Sequence, residues 1–133
     1  MKLAALALLS LFICAGAVAS DDRYPVEVAS TDGLYKLVLT PNLSPLAINR
    51  LHTWALELRS PDDAPVLAAT FAVTGGMPEH NHGLPTRPRV TRELGAGRYL
   101  LEGMRFHMPG RWEITIDIDA SAGRDSAIVR LQL

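Results

Sequence analysis

Short runs of alternating apolar and polar residues predict an all-β fold, an immunoglobulin-like β-sandwich of about seven strands in one domain. Turn signals rich in Gly, Pro, Asn and Asp recur roughly every ten residues, which is the strand spacing typical of such sandwiches. No stretch of the mature chain shows a convincing helical pattern. A small β-barrel has similar spacing and is the main alternative architecture.

The clearest strand pattern lies at 112–119, where Trp112 and three isoleucines alternate with polar residues, as expected for a half-buried strand. In 47–59, His52 and Trp54 share one face with two leucines. The two tryptophans are therefore candidate core anchors, and His52 is interpreted as a hydrogen-bonded residue at a sheet edge. Residues 20–32 form a polar lead-in without a strand pattern. The predicted strands span residues 35–40, 47–59, 65–74, 89–94, 98–102, 112–119 and 127–133.

The amino terminus has the features of a secretory signal peptide. Lys2 precedes an apolar run over residues 3–15, and Ala17-Val18-Ala19 supplies a small-residue cleavage site. Cys14 follows Ile13, where a lipidation motif needs a small residue, so we do not interpret it as a lipid anchor. We expect cleavage after residue 19, a mature domain of residues 20–133 in the periplasm or outside the cell, and no stable membrane anchor.

The composition of the mature chain excludes several functional classes. Loss of Lys2 leaves 12 basic and 14 acidic residues, a formal net charge of −2 without a polybasic segment, so nucleic acid is not an expected partner. The mature chain has no cysteine, and its stability must come from apolar burial. It shows neither a nucleophile-elbow motif nor a phosphate-binding loop before a helix, and we expect that it is not an enzyme.

Chemistry-bearing residues concentrate in the segment Gly75–Pro88. Its glycine and proline density predicts an irregular, ordered loop that is neither helix nor strand. Residues 103–110 form a second irregular, methionine-rich stretch. Loops of a sandwich cluster at its two ends, so we expect these two segments to meet in space.

The first segment carries a His-x-His pair, His80 and His82, with Met77 three residues upstream. Side chains two apart in extended backbone point the same way, so both imidazoles can reach one ion. Imidazole and thioether donors without cysteine suit copper, especially Cu(I), whereas zinc would more often recruit a carboxylate such as Glu79. The predicted ligands are Met77, His80 and His82, completed by donors of the second stretch: His107 and Met108, or Met104.

Simpler interpretations of the same residues stay open. The histidines of a loop can be solvated residues that bind backbone groups, and Met104 and Met108 can be core residues on one face with Phe106. The prolines and glycines of Gly75–Pro88 can encode loop shape alone.

The sequence also resembles a known family. The motif runs from Gly75-Gly76-Met77-Pro78-Glu79-His80-Asn81-His82-Gly83-Leu84-Pro85-Thr86-Arg87-Pro88 through Tyr99, Gly103 and Phe106-His107-Met108-Pro109-Gly110 to Trp112-Glu113, with Asn49 to Trp54 upstream. Over about residues 33–119 it is similar to the YtkA-like/FixH-like family of small exported or membrane-anchored bacterial domains. The resemblance implies an immunoglobulin-like sandwich. It supports copper as the metal, because some FixH-type members are associated with copper supply to cytochrome oxidases.

Two functions follow as expectations. The first is an exported copper-binding or copper-handling protein that exchanges the metal with a copper donor or acceptor protein. The alternative is a non-enzymatic interaction module of the cell envelope, in which the Gly75–Pro88 segment binds a partner protein.

Overall fold

The computed structural model describes residues 23–133, which form two antiparallel β-sheets packed face to face. The all-β sandwich prediction is therefore confirmed, while the predicted signal peptide, residues 1–19, lies outside the described residues. The five-stranded sheet has the order β1-β2-β3-β7-β6, and the four-stranded sheet has the order β5-β4-β8-β9. The strands are β1 Val26–Ala29, β2 Lys36–Pro41, β3 His52–Arg59, β4 Thr70–Met77, β5 His82–Gly83, β6 Arg89–Gly95, β7 Arg98–Met104, β8 Arg111–Ala120 and β9 Gly123–Gln132. Residues 23–133 contain no helix that could cross a membrane.

Two of the nine strands are absent from the predicted set. β1 lies in the supposed lead-in, where Val26 and Val28 are half-buried and the backbone pairs with β2. β5 lies inside the supposed loop and pairs with the end of β4. The prediction also began the third strand too early, because Ala68 adopts a left-handed conformation (φ 54°) that interrupts extended backbone before Thr70.

The core follows from strict alternation on the central strands. β8 buries Trp112, Ile114, Ile116 and Ile118 and exposes or half-buries the residues between them. β3 directs Trp54, Leu56 and Leu58 to the same interior from the opposite sheet. Trp54 and Trp112 are 1% and 0% exposed, so both act as the core anchors that the sequence predicts.

Gly76 explains how β4 and β5 pair within a glycine-rich segment. A Cβ placed on Gly76 would lie 2.5 Å from the carbonyl oxygen of His82, and one on Gly75 would lie 2.6 Å from Ile114 Cδ1. These glycines therefore permit close strand contact, and the prediction that Gly75–Pro88 contains no strand is wrong. Pro78 does not interrupt the ladder, because it follows the last paired residue, Met77.

The topology separates two ends of the sandwich. We call the end with residues 42–51, 78–81, 84–88 and 105–110 the site end, because it holds both predicted functional segments. The opposite end, which we call the far end, carries residues 30–35, 60–69, 96–97 and 121–122.

His52 lies in the core beneath the site end. β3 has a hydrogen-bonded neighbour on each side, so the predicted sheet-edge position is wrong. The Nδ1–H group of His52 donates to the Arg50 carbonyl oxygen at 3.0 Å, while Nε2 is buried without a partner. Its ring centroid lies 5.8 Å from that of Phe106. Burial lowers the pKa of His52, and the hydrogen bond to Arg50 offsets this only in part.

We expect Gly76→Ala to lower the free energy of unfolding by about 1–3 kcal/mol, because the added methyl group forces β5 away from β4. Gly83→Ala is the matched control, since its Cβ would meet only the Gly75 carbonyl oxygen, at 3.7 Å. Chemical denaturation of both variants measures the difference. Equal stability of the two variants would contradict this account of the hairpin.

We expect the thermal stability to fall as the pH drops below the pKa of an unfolded histidine, about 6.5, because neutral His52 must stay unprotonated in the core. At such pH, His52 of the unfolded chain binds a proton more readily than the buried His52 of the folded chain, which favours unfolding. His52→Phe removes this linkage and should flatten the melting temperature as a function of pH between neutral and mildly acidic pH. Parallel pH profiles for His52→Phe and the unsubstituted protein would show that His52 does not carry the effect.

Candidate functional site

The β4–β5 hairpin presents the first group of predicted ligands. Met77 and His82 are direct cross-strand partners, so their side chains leave the hairpin on the same face. Met77 is 1% exposed, whereas His80 and His82 are exposed. The ring centroids of His80 and His82 lie 6.3 Å apart with planes inclined by 24°.

One hydrogen bond and one ion pair support the turn between β4 and β5. The His80 amide donates to the Met77 carbonyl oxygen at 3.1 Å, and Asn81 adopts a left-handed conformation (φ 52°). Arg111 Nη2 lies 2.6 Å from Glu79 Oε1 and ties the turn to the start of β8. Both side chains are about half exposed, so the ion pair contributes orientation and little stability.

The stretch between β7 and β8 presents the second group. Phe106 is fully buried, and its carbonyl oxygen accepts from the Asn49 amide at 2.7 Å. The indole Nε1–H of Trp112 donates to the Met108 carbonyl oxygen at 3.0 Å. The half-buried ring of His107 stands edge-on to Trp112, with centroids 5.4 Å apart. The buried aromatic residues thereby fix the position of His107.

The two segments meet at His82 and His107. Their ring centroids lie 5.9 Å apart with planes inclined by 81°. Met77 also reaches the second stretch, since a Cβ on Gly110 would lie 2.6 Å from Met77 Cε. Three of the predicted ligands therefore lie at one place on the site end, and His80 is next to them on the solvent side.

The two other methionines of this end differ in burial. Met104 is 1% exposed and pairs in register with His52, which agrees with the simpler interpretation of this residue. Met108 is half-buried against the core cluster. Its backbone carbonyl oxygen accepts from Trp112, which fixes the backbone beside its thioether, and Met108 stays a predicted ligand.

The three clustered imidazoles lack hydrogen-bond partners. No side chain or backbone group among residues 23–133 bonds the rings of His80, His82 or His107, and Nδ1 of His107 is buried without a partner. An unsatisfied buried nitrogen costs about 1–3 kcal/mol. Such nitrogens keep the lone pairs that a metal ion, or a hydrogen-bond donor of a partner, requires.

The arrangement does not amount to a complete three-ligand site. Within residues 23–133 no group of three or more His, Cys, Asp or Glu side chains is placed to hold one metal ion. The compact donor set is two imidazoles and one thioether, from His82, His107 and Met77.

Sequence reasoning missed the groups that support these side chains. Trp112 was predicted as a core anchor, but its indole also positions His107 and Met108. Glu79 was considered only as a zinc ligand, whereas it pairs with Arg111. A groove of about 420 Å³ beside the hairpin adds Asn81, Glu113 and Thr115 to the surroundings of His82. A larger groove of about 650 Å³ lies toward the far end, away from all four histidines.

Comparison with known proteins agrees with the resemblance seen in the motif. A family model described as YtkA-like matches residues 27–117, which is most of the described chain and includes Met77 and the three clustered histidines. No curated protein and no solved structure gave a match. The matched region begins in β1 and ends in β8, so it contains both functional segments. The chain belongs to the YtkA-like family.

Proposed function

We propose that this protein is an exported copper-handling protein, which binds Cu(I) at the site end and exchanges it with a donor or acceptor protein. The observation that carries the proposal is the meeting of His82 with His107, two imidazoles without hydrogen-bond partners from segments about 25 residues apart. Met77 adds a buried thioether on the same face as His82.

The donor types select the metal. Thioether sulfur is a soft ligand that favours Cu(I), and imidazole binds copper well, while hard cations such as Mg²⁺ and Ca²⁺ need oxygen donors. Structural zinc sites are usually closed by four ligands, commonly with thiolates, and residues 23–133 contain no cysteine. The carboxylate nearest in sequence, Glu79, is already paired with Arg111. The donor set therefore fits Cu(I) better than zinc.

The distances are compatible with a shared ion after small side-chain rotations. Metal–nitrogen bonds of about 2 Å put the centres of two coordinating rings roughly 5–6 Å apart. The 5.9 Å between His82 and His107 falls in this range, and the 6.3 Å between His80 and His82 lies just above it. His82, His107 and Met77 would hold the ion, and His80 would contact it only in transit.

The exposure of the cluster suits exchange rather than storage. His80 in the hairpin turn and His82 on the two-residue edge strand are open to solvent, so an incoming partner ligand can reach them directly. Binding and release require no covalent step on the protein, in keeping with a non-enzymatic role. The predicted export signal would deliver the protein to the compartment where such exchange occurs.

The alternative function, an interaction module without metal, uses the same surface. The hairpin turn is exposed, is tied to the start of β8 by the ion pair of Glu79 and Arg111, and borders a groove. This function needs no copper, so metal affinity separates it from the leading proposal.

We expect the mature protein to bind about one equivalent of Cu(I), measured by competition with a chromogenic Cu(I) chelator. His82→Ala/His107→Ala should remove this binding, because it deletes both imidazoles of the compact donor set. His80→Ala is the matched control, one imidazole removed from the same hairpin, and should weaken binding by less than about tenfold, which is 1.4 kcal/mol. An affinity that depends on His80 alone, or no affinity in the unsubstituted protein, would refute the proposed site.

A further inference from the structure

The two ends of the sandwich differ in charge, although the chain as a whole is almost neutral. The site-end segments carry Arg50, Arg87 and Arg105, none of which forms an ion pair within the described part of the chain. The far-end segments carry acids instead: Asp32, Asp62 and Asp63. Among the connecting segments of the two ends, the arginines without an ion-pair partner therefore all lie at the end that holds the histidine cluster.

Contacts bring the three arginine-bearing segments next to the stretch that carries His107. Arg105 lies two residues before His107, and its Nη2 donates to Asn49 Oδ1 at 3.0 Å, which brings the neighbouring Arg50 to the same place. The backbone of Arg87 packs on the end of β7, since a Cβ on Gly103 would lie 3.6 Å from the Arg87 carbonyl oxygen. We call Arg50, Arg87 and Arg105 the arginine rim.

Of the acids close to the site end, Glu102 accepts a hydrogen bond from Thr91, and the two others are in ion pairs. Glu79 is paired with Arg111, and Glu113 is paired with Arg130 at 3.1 Å. Arg50 and Arg87 are exposed, and neither guanidinium donates a hydrogen bond within residues 23–133. A guanidinium with unused donors favours a carboxylate, which it can bind through two parallel hydrogen bonds.

A positive rim is the opposite of what a site for capture of free cations would carry. The positive charges of the arginine rim repel a free metal cation, and they attract an anionic surface. Leu51, next to Arg50, is 67% exposed and adds an apolar contact to the same patch. Arginine is among the residue types enriched at protein-binding surfaces.

We propose that the site end docks an acidic protein surface through the arginine rim and Leu51. The role of this surface in copper exchange rests on the proposed function, in which the acidic protein is the copper donor or acceptor. The docking itself does not require copper. Complementary charge would accelerate encounter and orient the partner so that its ligands approach His80 and His82 first.

A short oligoglutamate peptide is the probe for this surface. We expect its addition to the metal-free mature protein, at low ionic strength, to shift the amide NMR signals of residues 49–51, 87 and 105, and not those of residues 60–65. An oligolysine peptide of equal length should leave the site end unchanged. Added salt should weaken the oligoglutamate response, because exposed charges are screened over about 10 Å at 0.1 M salt.

Matched variants test the residues of the rim. Arg50→Gln/Arg87→Gln should weaken oligoglutamate binding about tenfold, by loss of two favourable charges. Arg98→Gln removes the same type of charge at the far end and should have no effect. Both changes are at exposed positions, so the fold should be retained, and the amide spectrum reports this directly.

Three results would overturn the inference. The first is an unchanged affinity of the Arg50→Gln/Arg87→Gln variant, and the second is a response centred on the far end. The third is binding to vesicles of anionic phospholipid without binding to oligoglutamate, which would assign the rim to a membrane surface. Because the metal-free protein is used, these results are independent of the copper titration, and either proposal can fail alone.

Discussion

The packing of Trp112 is the interaction on which the site end depends. Its indole is fully buried, contacts the rings of Phe106 and His107, and donates to the Met108 carbonyl oxygen. These contacts hold the irregular stretch between β7 and β8 against the start of a regular strand. His107 is thus kept beside His82, and an aromatic core residue determines the geometry of a surface cluster. Loss of the indole would release Phe106, His107 and Met108 together.

The regular part of the fold was predictable because binary pattern and strand period coincide there. The alternation of Trp112 to Ile118 and of Trp54 to Leu58 assigned the inward faces correctly. The errors arose where tertiary contact overrides local preference. β5 has only two residues, and its existence depends on Gly76 allowing His82 to approach, which no local pattern reveals. Ala68 entered a left-handed conformation that its residue type does not indicate.

The candidate site was partly predictable for the same reason. Sandwich topology predicts that the two irregular segments lie close together. The contact between the rings of His82 and His107 confirms this. Residue type alone does not show which of the potential metal ligands lie at the candidate site and which pack in the core. Met77 and Met108 look equivalent in the sequence, yet Met77 is fully buried and cross-strand from His82, whereas Met108 is half-buried and supports Trp112 through its backbone. Likewise His52 looked like an edge residue, but the order of strands buries it.

The positive charges of the arginine rim and the potential metal ligands lie at the same end of the molecule. The histidine cluster, the exposed Leu51 and the arginine rim share the site end, while the unpaired and paired acids of the far end face away from it. X-ray absorption of the Cu(I)-loaded mature protein tests the central claim most directly, because it reports the atoms bound to copper. The account predicts two imidazole nitrogens and one thioether sulfur, with the sulfur lost in Met77→Leu. A first shell of nitrogen and oxygen alone, or a sulfur signal that survives Met77→Leu, would contradict it.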